Sequence, residues 1–568
     1  MPKLAIAPWL HGYDRSNLKF DIIAGLTVWA LVVPQSIAYA QIAGLPPQAG
    51  VFCSFAAPLG YTLFGTSRQL IVSPTSATAA ISASLVAPLA LSDADRFRDL
   101  SMLLAILSGV LFILLGIGKL GFVSQFIATA VQVGFLFGLG LTIICGQFFD
   151  VFGIAKPDGP FYKQFWNLIT HLGETNGWTA VIGLGGLAAM FAFKRFMPTI
   201  PAALIMVALA TILVGLFNLD AHGVAIVGDV DRAVPLPRIP TEFHFSDLAT
   251  LLPGTLAIVI IGYSESVSVA EGFADKHKYD IEPNRELTAL GVSAVFSGLF
   301  KGFIAGGGAS QSAANDRAGA KTQMACVVLA LLAAITSIAL MPLFKDLPIA
   351  VLAAIVISAV VGFLNVHELQ RLRQLRRGSF VFAMLALIGV LLLGILPGLL
   401  ITVGLSVMLL LGRESRPLTS VLGRIPGTNA YANVEVVPEA EVRDDLLIFR
   451  LDAALMFINA TWMRDSLRDL LAQRETPPRV VLLDLSFSPD LDIKALDVLA
   501  KLNDYVGERG SALWITGAHK AVRDMLIHGE EIGTIARIPR FLTIGDALAA
   551  LDDPQAAAME AVTQKEER

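Results

Sequence analysis

The chain has 568 residues, of which 55% are hydrophobic and only 16% charged, and its net charge is -5; its mean hydropathy is +0.67. A soluble protein carries roughly 25% charged residues and its core stops growing at about 250 to 300 residues, so this much apolar surface cannot be hidden in one water-soluble body. Fibrous, disordered and nucleic-acid-binding chains are excluded as well, because no basic tract is long enough to track a phosphate backbone. The charges are unevenly placed, with 46 in residues 1–412 and 43 in residues 413–568. A membrane part therefore precedes a soluble part.

A spanning helix needs about 20 apolar residues. In chain order, clear runs lie over Phe20 to Ala40, Leu100 to Ile117, Phe122 to Phe149, Trp178 to Phe193, Ile200 to Phe217, Leu251 to Ala270, Thr322 to Phe344, Leu347 to Leu364 and Phe380 to Leu396. Weaker runs, broken by Gly, Pro and hydroxyl residues, lie over Pro47 to Phe64, Thr75 to Leu91, Leu287 to Phe303, Ala309 to Gly319 and Gly398 to Leu411. Together they predict an α-helical polytopic membrane protein of about fourteen segments. The first run lacks the flanks and cleavage pattern of a signal peptide and is expected to stay attached. Lys and Arg prefer cytoplasmic loops, and alternation from an inside N-terminus puts Lys194, Arg195, Arg371, Arg373, Arg376 and Arg377 there, whereas Asp229, Asp231 and Asp247 fall outside. The arginine cluster reads as a topology determinant rather than a lipid site. The N-terminus and the C-terminal soluble part are then both cytoplasmic.

That soluble part alternates β-prone runs (Leu446 to Leu451, Val480 to Leu485, Ala512 to Thr516) with amphipathic stretches (Thr461 to Ala472, Ile493 to Val506, Lys520 to His528). The alternation predicts a small α/β domain. The expected organisation is a transport domain over 1–417, a linker over 418–437, the α/β domain over 438–555 and a polar tail over 556–568. Cys53, Cys145 and Cys326 are far apart and predict no disulfide framework. No metal or cofactor is expected, since no two His stand at ligand spacing on a helix face. Gly319-Ala320-Lys321-Thr322 lacks the adjacent Gly-Lys of a phosphate-binding loop. Asn459-Ala460-Thr461 fits the glycosylation triplet but falls in the cytoplasmic domain. No nucleophile-base pair at a plausible spacing suggests an enzyme.

Two weak segments echo each other. Pro74-Thr75-Ser76-Ala77-Thr78-Ala79-Ala80 and Gly308-Ala309-Ser310-Gln311-Ser312-Ala313-Ala314 share a hydroxyl residue, one intervening residue, a second hydroxyl residue and two alanines. Each follows a helix breaker, and each is the third segment of its half in a seven-plus-seven division. Interrupted segments in corresponding halves point to a transporter's binding site, because irregular backbone at membrane depth is tolerated only where it is buried or lines a cavity. Two half-helices starting there would aim free N–H groups and positive dipole ends at one point, where an anion could sit. Ser76, Thr78, Ser310 and Ser312 could add hydroxyl donors, although small hydroxyl residues also serve close helix packing.

Glu265 interrupts the run from Leu251 to Ala270. A carboxylate at that depth costs several kcal/mol unless paired, hydrated or protonated. A proton is its cheapest partner, so Glu265 could load and release a proton and couple that movement to an anion's; a structural carboxyl is the alternative. Glu271 lies at the predicted membrane edge and reads as solvated or capping.

These residues carry a resemblance to the SulP anion transporters, the bacterial relatives of solute carrier family 26. The first half is similar at Pro34-Gln35-Ser36-Ile37-Ala38-Tyr39-Ala40, Ala43-Gly44-Leu45-Pro46-Pro47 and Gly65-Thr66-Ser67-Arg68-Gln69. The second is similar at Asn284-Arg285-Glu286-Leu287, at Asn315 and at Ala320-Lys321-Thr322, and the C-terminal domain resembles a STAS domain. The resemblance covers nearly the whole chain. It implies a uracil-permease-like fold of two inverted seven-segment repeats, a core moving against a gate, a homodimer, and an anion site between the third and tenth segments. Proton-coupled members tend to have Glu where this chain has Glu265, sodium-coupled bicarbonate carriers have Asp, and many animal exchangers have an apolar residue.

Two departures stand out. Many relatives have Arg where this chain has Gln311, which donates hydrogen bonds but brings no charge; Arg317, nearly two turns on, reads as too far to replace it. In the STAS domain, Asp492-Ile493-Lys494 lacks the usual phosphorylatable hydroxyl. The expected activity is proton-coupled uptake of sulfate or a related inorganic or carboxylic anion across the bacterial inner membrane. Ser76, Ala77, Thr78, Ala309, Ser310, Gln311 and Ser312 would bind the anion and Glu265 would carry the proton. Bicarbonate or dicarboxylate symport, an uncoupled exchanger or channel, and a sensor acting through an unidentified cytoplasmic partner of the STAS domain remain open.

Overall fold

The structure, a computed structural model, describes residues 6–91, 93–122, 128–157, 159–197, 201–229 and 234–552. Ile200, Asp231, part of the run from Phe122 to Phe149 and the polar tail 556–568 lie outside the described residues. The chain divides into two compact units, Met1–Val407 and Met408–Arg568.

The first unit is helical. Its helices are α1 (Leu18–Ile42), α2 (Pro47–Thr62), α3 (Ser76–Ala90), α4 (Ala94–Ile117), α5 (Thr129–Phe152), α6 (Phe161–Thr170), α7 (Gly177–Phe196), α8 (Ala202–Phe217), α9 (Phe245–His277), α10 (Pro283–Leu299), α11 (Ala309–Arg317), α12 (Met324–Ile335), α13 (Ile349–Val360), α14 (Val366–Leu375), α15 (Arg377–Leu393) and α16 (Ile395–Glu414). Among the described residues eight helical runs are long and apolar enough to cross a bilayer; α3, α8 and α15 are shorter apolar helices. Each predicted span coincides with a helix. The additions are α6 and α14, short amphipathic helices that the search for spans passes over.

The helices fall into two packed groups. In one, α10 packs on α4 and α2, α12 on α1 and α2, and α9 on α4; in the other, α13 and α15 pack on α5 and α13 packs on α7. Lipid tails are as apolar as leucine, so close van der Waals fit must hold such helices together. Gly109 of α4 and Gly291 of α10 supply it. A Cβ built on either would lie 2.6 Å from the other's carbonyl oxygen, so the crossing exists only without side chains.

Two very short strands interrupt this helical unit. β1 (Val72–Ser73) pairs antiparallel with β2 (Gly306–Gly307), Val72 opposite Gly307 and Ser73 opposite Gly306. α3 begins three residues after β1, and α11 begins two residues after β2.

The second unit holds a six-stranded sheet of order β4-β3-β5-β6-β7-β8, from β3 (Thr419–Arg424), β4 (Tyr431–Asn433), β5 (Leu446–Leu451), β6 (Val480–Asp484), β7 (Ala512–Thr516) and β8 (Arg540–Phe541). β5 through β8 are parallel, and β3 is antiparallel to both β4 and β5. α17 (Ala460–Ala472), α18 (Ile493–Gly507), α19 (Lys520–Glu531) and α20 (Ile544–Asp552) complete it. Every residue of β6 is buried, as expected of a parallel strand covered on both faces. The stretch read as a linker differs from expectation, since β3 and β4 lie inside it. β4 is a three-residue edge strand, and β3, between it and β5, mixes polar residues and a glycine with its apolar ones, which leaves neither with a clear apolar signature. Asp492 caps α18 by accepting from Ala495 N at 2.8 Å and also accepts from Phe457 N at 2.6 Å.

Candidate functional site

The β1–β2 pair brings the two echo segments together. Ile71 N donates to Ser312 Oγ at 2.9 Å, and Gly308 N donates to Ile71 O at 3.0 Å. Ser73 Oγ donates to Gln311 Oε1 at 2.6 Å. The Gln311 amide donates to Pro74 O at 3.1 Å and to Gln35 Oε1 on α1 at 3.3 Å. One side chain therefore ties the second half of the chain to two places in the first. Its polar atoms are spent on that bridge.

The first four N–H groups of a helix have no partner within it. At α3 the cap residue Thr75 accepts from Thr78 N at 3.2 Å, and the two hydroxyls lie 3.0 Å apart. The Ser76 and Ala77 N–H groups have no hydrogen-bond partner among the described residues. At α11 the cap is Gly308, which has no side chain to offer, and the N–H groups of Ala309, Ser310 and Gln311 are likewise without partners among the described residues. A Cβ at 308 would collide with Gln311 Oε1, so a larger residue there must push the Gln311 side chain out of its bridge.

A cavity of about 590 Å³ lies beside the start of α11, lined along α1 by Ile23, Thr27, Leu31 and Gln35. Those residues span about 18 Å at the helical rise of 1.5 Å per residue. Ser310 and Gln35 line one end; walls come from α7, α8 and α13. Of the predicted binding residues, Ser310 lines the cavity and Ala309 is exposed next to it, whereas Ser76, Ala77, Thr78, Gln311 and Ser312 are buried. The helix ends are brought together, but only one predicted side chain reaches the open space.

Glu265 sits on α9, half-buried, with no hydrogen bond or ion pair among the described residues, and it is not part of the cavity wall. Its neighbour Ser266 accepts from Gly307 N at 2.9 Å, which joins α9 to β2. Further along, Asp316 at the end of α11 receives Lys276 Nζ at 2.6 Å and His277 Nε2 at 2.5 Å. α9 therefore touches the second half-helix unit at both ends. Sequence reasoning missed Gln35 and Arg317 as cavity-lining residues. Gln35 sat in a motif quoted for resemblance, and Arg317 was judged by distance along one helix alone. No group of three or more His, Cys, Asp or Glu able to hold a metal occurs among the described residues.

Comparison with known proteins agrees with this architecture. Residues 18–386 match the model of the sulfate permease family, and residues 437–547 match the STAS domain. The chain is 32% identical to the "Probable sulfate transporter" of Mycobacterium tuberculosis (strain CDC 1551 / Oshkosh) over 97% of its own length and 99% of that protein's. It is 30% identical to "High affinity sulfate transporter 2" of Stylosanthes hamata, covering 97% of this chain and 87% of the relative. The solved structure of murine solute carrier 26 family member A9, an anion transporter in the inward-facing state, superposes with a TM-score of 0.88 at 23% identity, over 97% of this chain and 94% of that one. The transmembrane domain of the cyanobacterial bicarbonate transporter BicA gives 0.60 at 20% identity, over 70% of this chain and 98% of that one. These matches, to transporters rather than enzymes, agree with a helical membrane unit whose two halves meet at β1 and β2. The chain belongs to the sulfate permease family of anion transporters.

Proposed function

We propose that the protein takes up sulfate, or a related small anion, together with a proton by alternating access across the bacterial cytoplasmic membrane. The anion sits where the α3 and α11 ends converge, held by the N–H groups of Ser76, Ala77, Ala309, Ser310 and Gln311 and by the Ser310 hydroxyl, while Thr78 and Ser312 border the site and fix its shape. The observation that supports this reading is the β1–β2 pairing, which joins the two segments that lead into α3 and α11, with Ser310 of α11 on the wall of a cavity. Helix ends of this kind favour anions through aligned peptide dipoles and N–H groups without adding a counter-charge. Glu265 carries the proton. Its support is the missing partner in a membrane helix and the Ser266 hydrogen bond that links the helix to β2. Both termini are assigned to the cytoplasm from the Lys and Arg distribution, and a homodimer follows from the family resemblance.

The test is uptake of labelled sulfate into liposomes with and without an imposed pH gradient. Wild-type protein accumulates sulfate only with the gradient, and Glu265→Gln keeps anion exchange but loses the pH-driven accumulation. Wild-type pH dependence in Glu265→Gln removes this residue from coupling. One observation favours a second reading, an uncoupled exchanger: Glu265 is not part of the cavity wall. Uptake unchanged after the proton gradient is dissipated supports that reading.

A further inference from the structure

The cavity wall has an uneven charge. Among its lining residues two are ionised, Lys194 and Arg317, and both are positive; the rest are apolar or neutral polar side chains such as Thr27, Gln35, Ser310 and Ser358. Neither cation has an ion pair among the described residues. Asp316 could have neutralised Arg317, but both of its oxygens are taken by Lys276 and His277 of α9.

The two cations stand apart from the helix ends. α11 runs antiparallel to α1: Gln311 at its start bonds to Gln35, and just past its end Lys321 N donates to Asp21 Oδ1 at 2.7 Å. Arg317 therefore lies nearer the start of α1 than Gln311 does, about 9 Å along the helix from Gln311 at 1.5 Å per residue, and like Lys194 it is exposed. Lys194 closes α7, and the alternation of spans puts the end of the sixth segment on the same side as the start of the first. Both charges thus mark the mouth of a cavity whose deep end is neutral.

We propose that Lys194 and Arg317 form a cationic mouth that draws the anion into the cavity and favours divalent over monovalent anions, while the helix ends beyond it hold the anion without charge. A cleft carrying one sign of charge between low-dielectric walls focuses the field and concentrates counter-ions, and the attraction scales with the valence of the solute. The bland role for Arg317 is to complement the dipole at the end of α11, which any cation there would do equally for every anion and every salt concentration.

The inference rests on anion transport through this cavity and is independent of proton coupling. Initial exchange rates in liposomes are compared for wild type, Arg317→Gln, Lys194→Gln and Arg317→Lys, on each anion the wild-type protein carries from a panel of sulfate, succinate, chloride and bicarbonate. The KM for the divalent anions rises about 3- to 10-fold in each Gln variant at about 20 mM ionic strength and by less than half that factor at about 300 mM, where screening shortens the reach of the charges. Monovalent anions shift less, the maximal rate stays within about twofold, and Arg317→Lys behaves as wild type. Lys194→Gln, on another helix, repeats the test should Arg317→Gln fail to fold. An unchanged KM, or a KM shift equal for both valences and both salt concentrations, overturns the proposal. Failure of the wild type to carry sulfate overturns the sulfate assignment alone, because the valence comparison is then read on the other anions.

Discussion

The two half-helix starts are similar in sequence and different in construction. α3 begins under a pair of threonines that satisfy each other and two backbone donors, and its first residues are buried. α11 begins under a glycine with no cap, and Ala309 and Ser310 stay exposed at the end of the cavity. A similar string of hydroxyl residues and alanines therefore does two jobs. At α3 the hydroxyls hold the chain's own backbone; at α11 the cross-links come from Gln311 and Ser312, and Ser310 is left to face the open space. A hydroxyl in a helix-end motif is not a ligand group until its hydrogen bonds have been counted.

Six substitutions at the two ends probe this difference, in falling order of effect. Gly308→Val drives a side chain into Gln311 and breaks the bridge to Ser73, Pro74 and Gln35; a loss of roughly 3 kcal/mol and of nearly all transport is expected, read by thermal unfolding and liposome flux. Retention of wild-type flux would show that the α11 start tolerates a different geometry. Gln311→Leu leaves Ser73 and Gln35 without that partner and should cost roughly 2 kcal/mol in unfolding. Its counterpart Gln311→Arg tests whether the side chain can turn to the anion: tighter binding or a changed valence preference is expected, and identical selectivity argues that it stays in the bridge. Ser310→Ala should raise the KM by about 3- to 10-fold, whereas Ser76→Ala changes it less than about twofold; equal effects erase the contrast between the two ends. Thr75→Ala is the mildest, with about 1 kcal/mol of stability lost through the cap and transport affinity retained.

Much of this was legible beforehand. Long apolar runs gave the spans, and apolar stretches rich in β-branched and leucine residues at Leu446 to Leu451 and Val480 to Leu485 gave the central strands, because burial in lipid or between layers leaves a strong compositional trace. β1 and β2 left none: two residues have no period, and their pairing depends on a partner far away in sequence. β3 and β4 hid in a polar, glycine-containing stretch, β4 being only three residues long and at the sheet edge. At the site, the echo named the two segments that β1 and β2 join, but it could not say that Gln311 is committed to the bridge. Arg317 was weighed only by its distance along α11, whereas its place on the cavity wall follows from the antiparallel packing of α11 on α1.

The two-residue ribbon also bears on how the molecule is made. Ser73 finds its acceptor on Gln311, 238 residues later in the chain. During synthesis the first half emerges with a broken membrane helix whose peptide groups wait for strands not yet translated, and a bilayer offers no water to stand in for them. The early half must therefore be sheltered or only loosely inserted until the late half arrives, which makes completion of the β1–β2 ribbon one of the last events of biogenesis. A ribosome stalled before residue 306 would release a product with every early span present and no finished site.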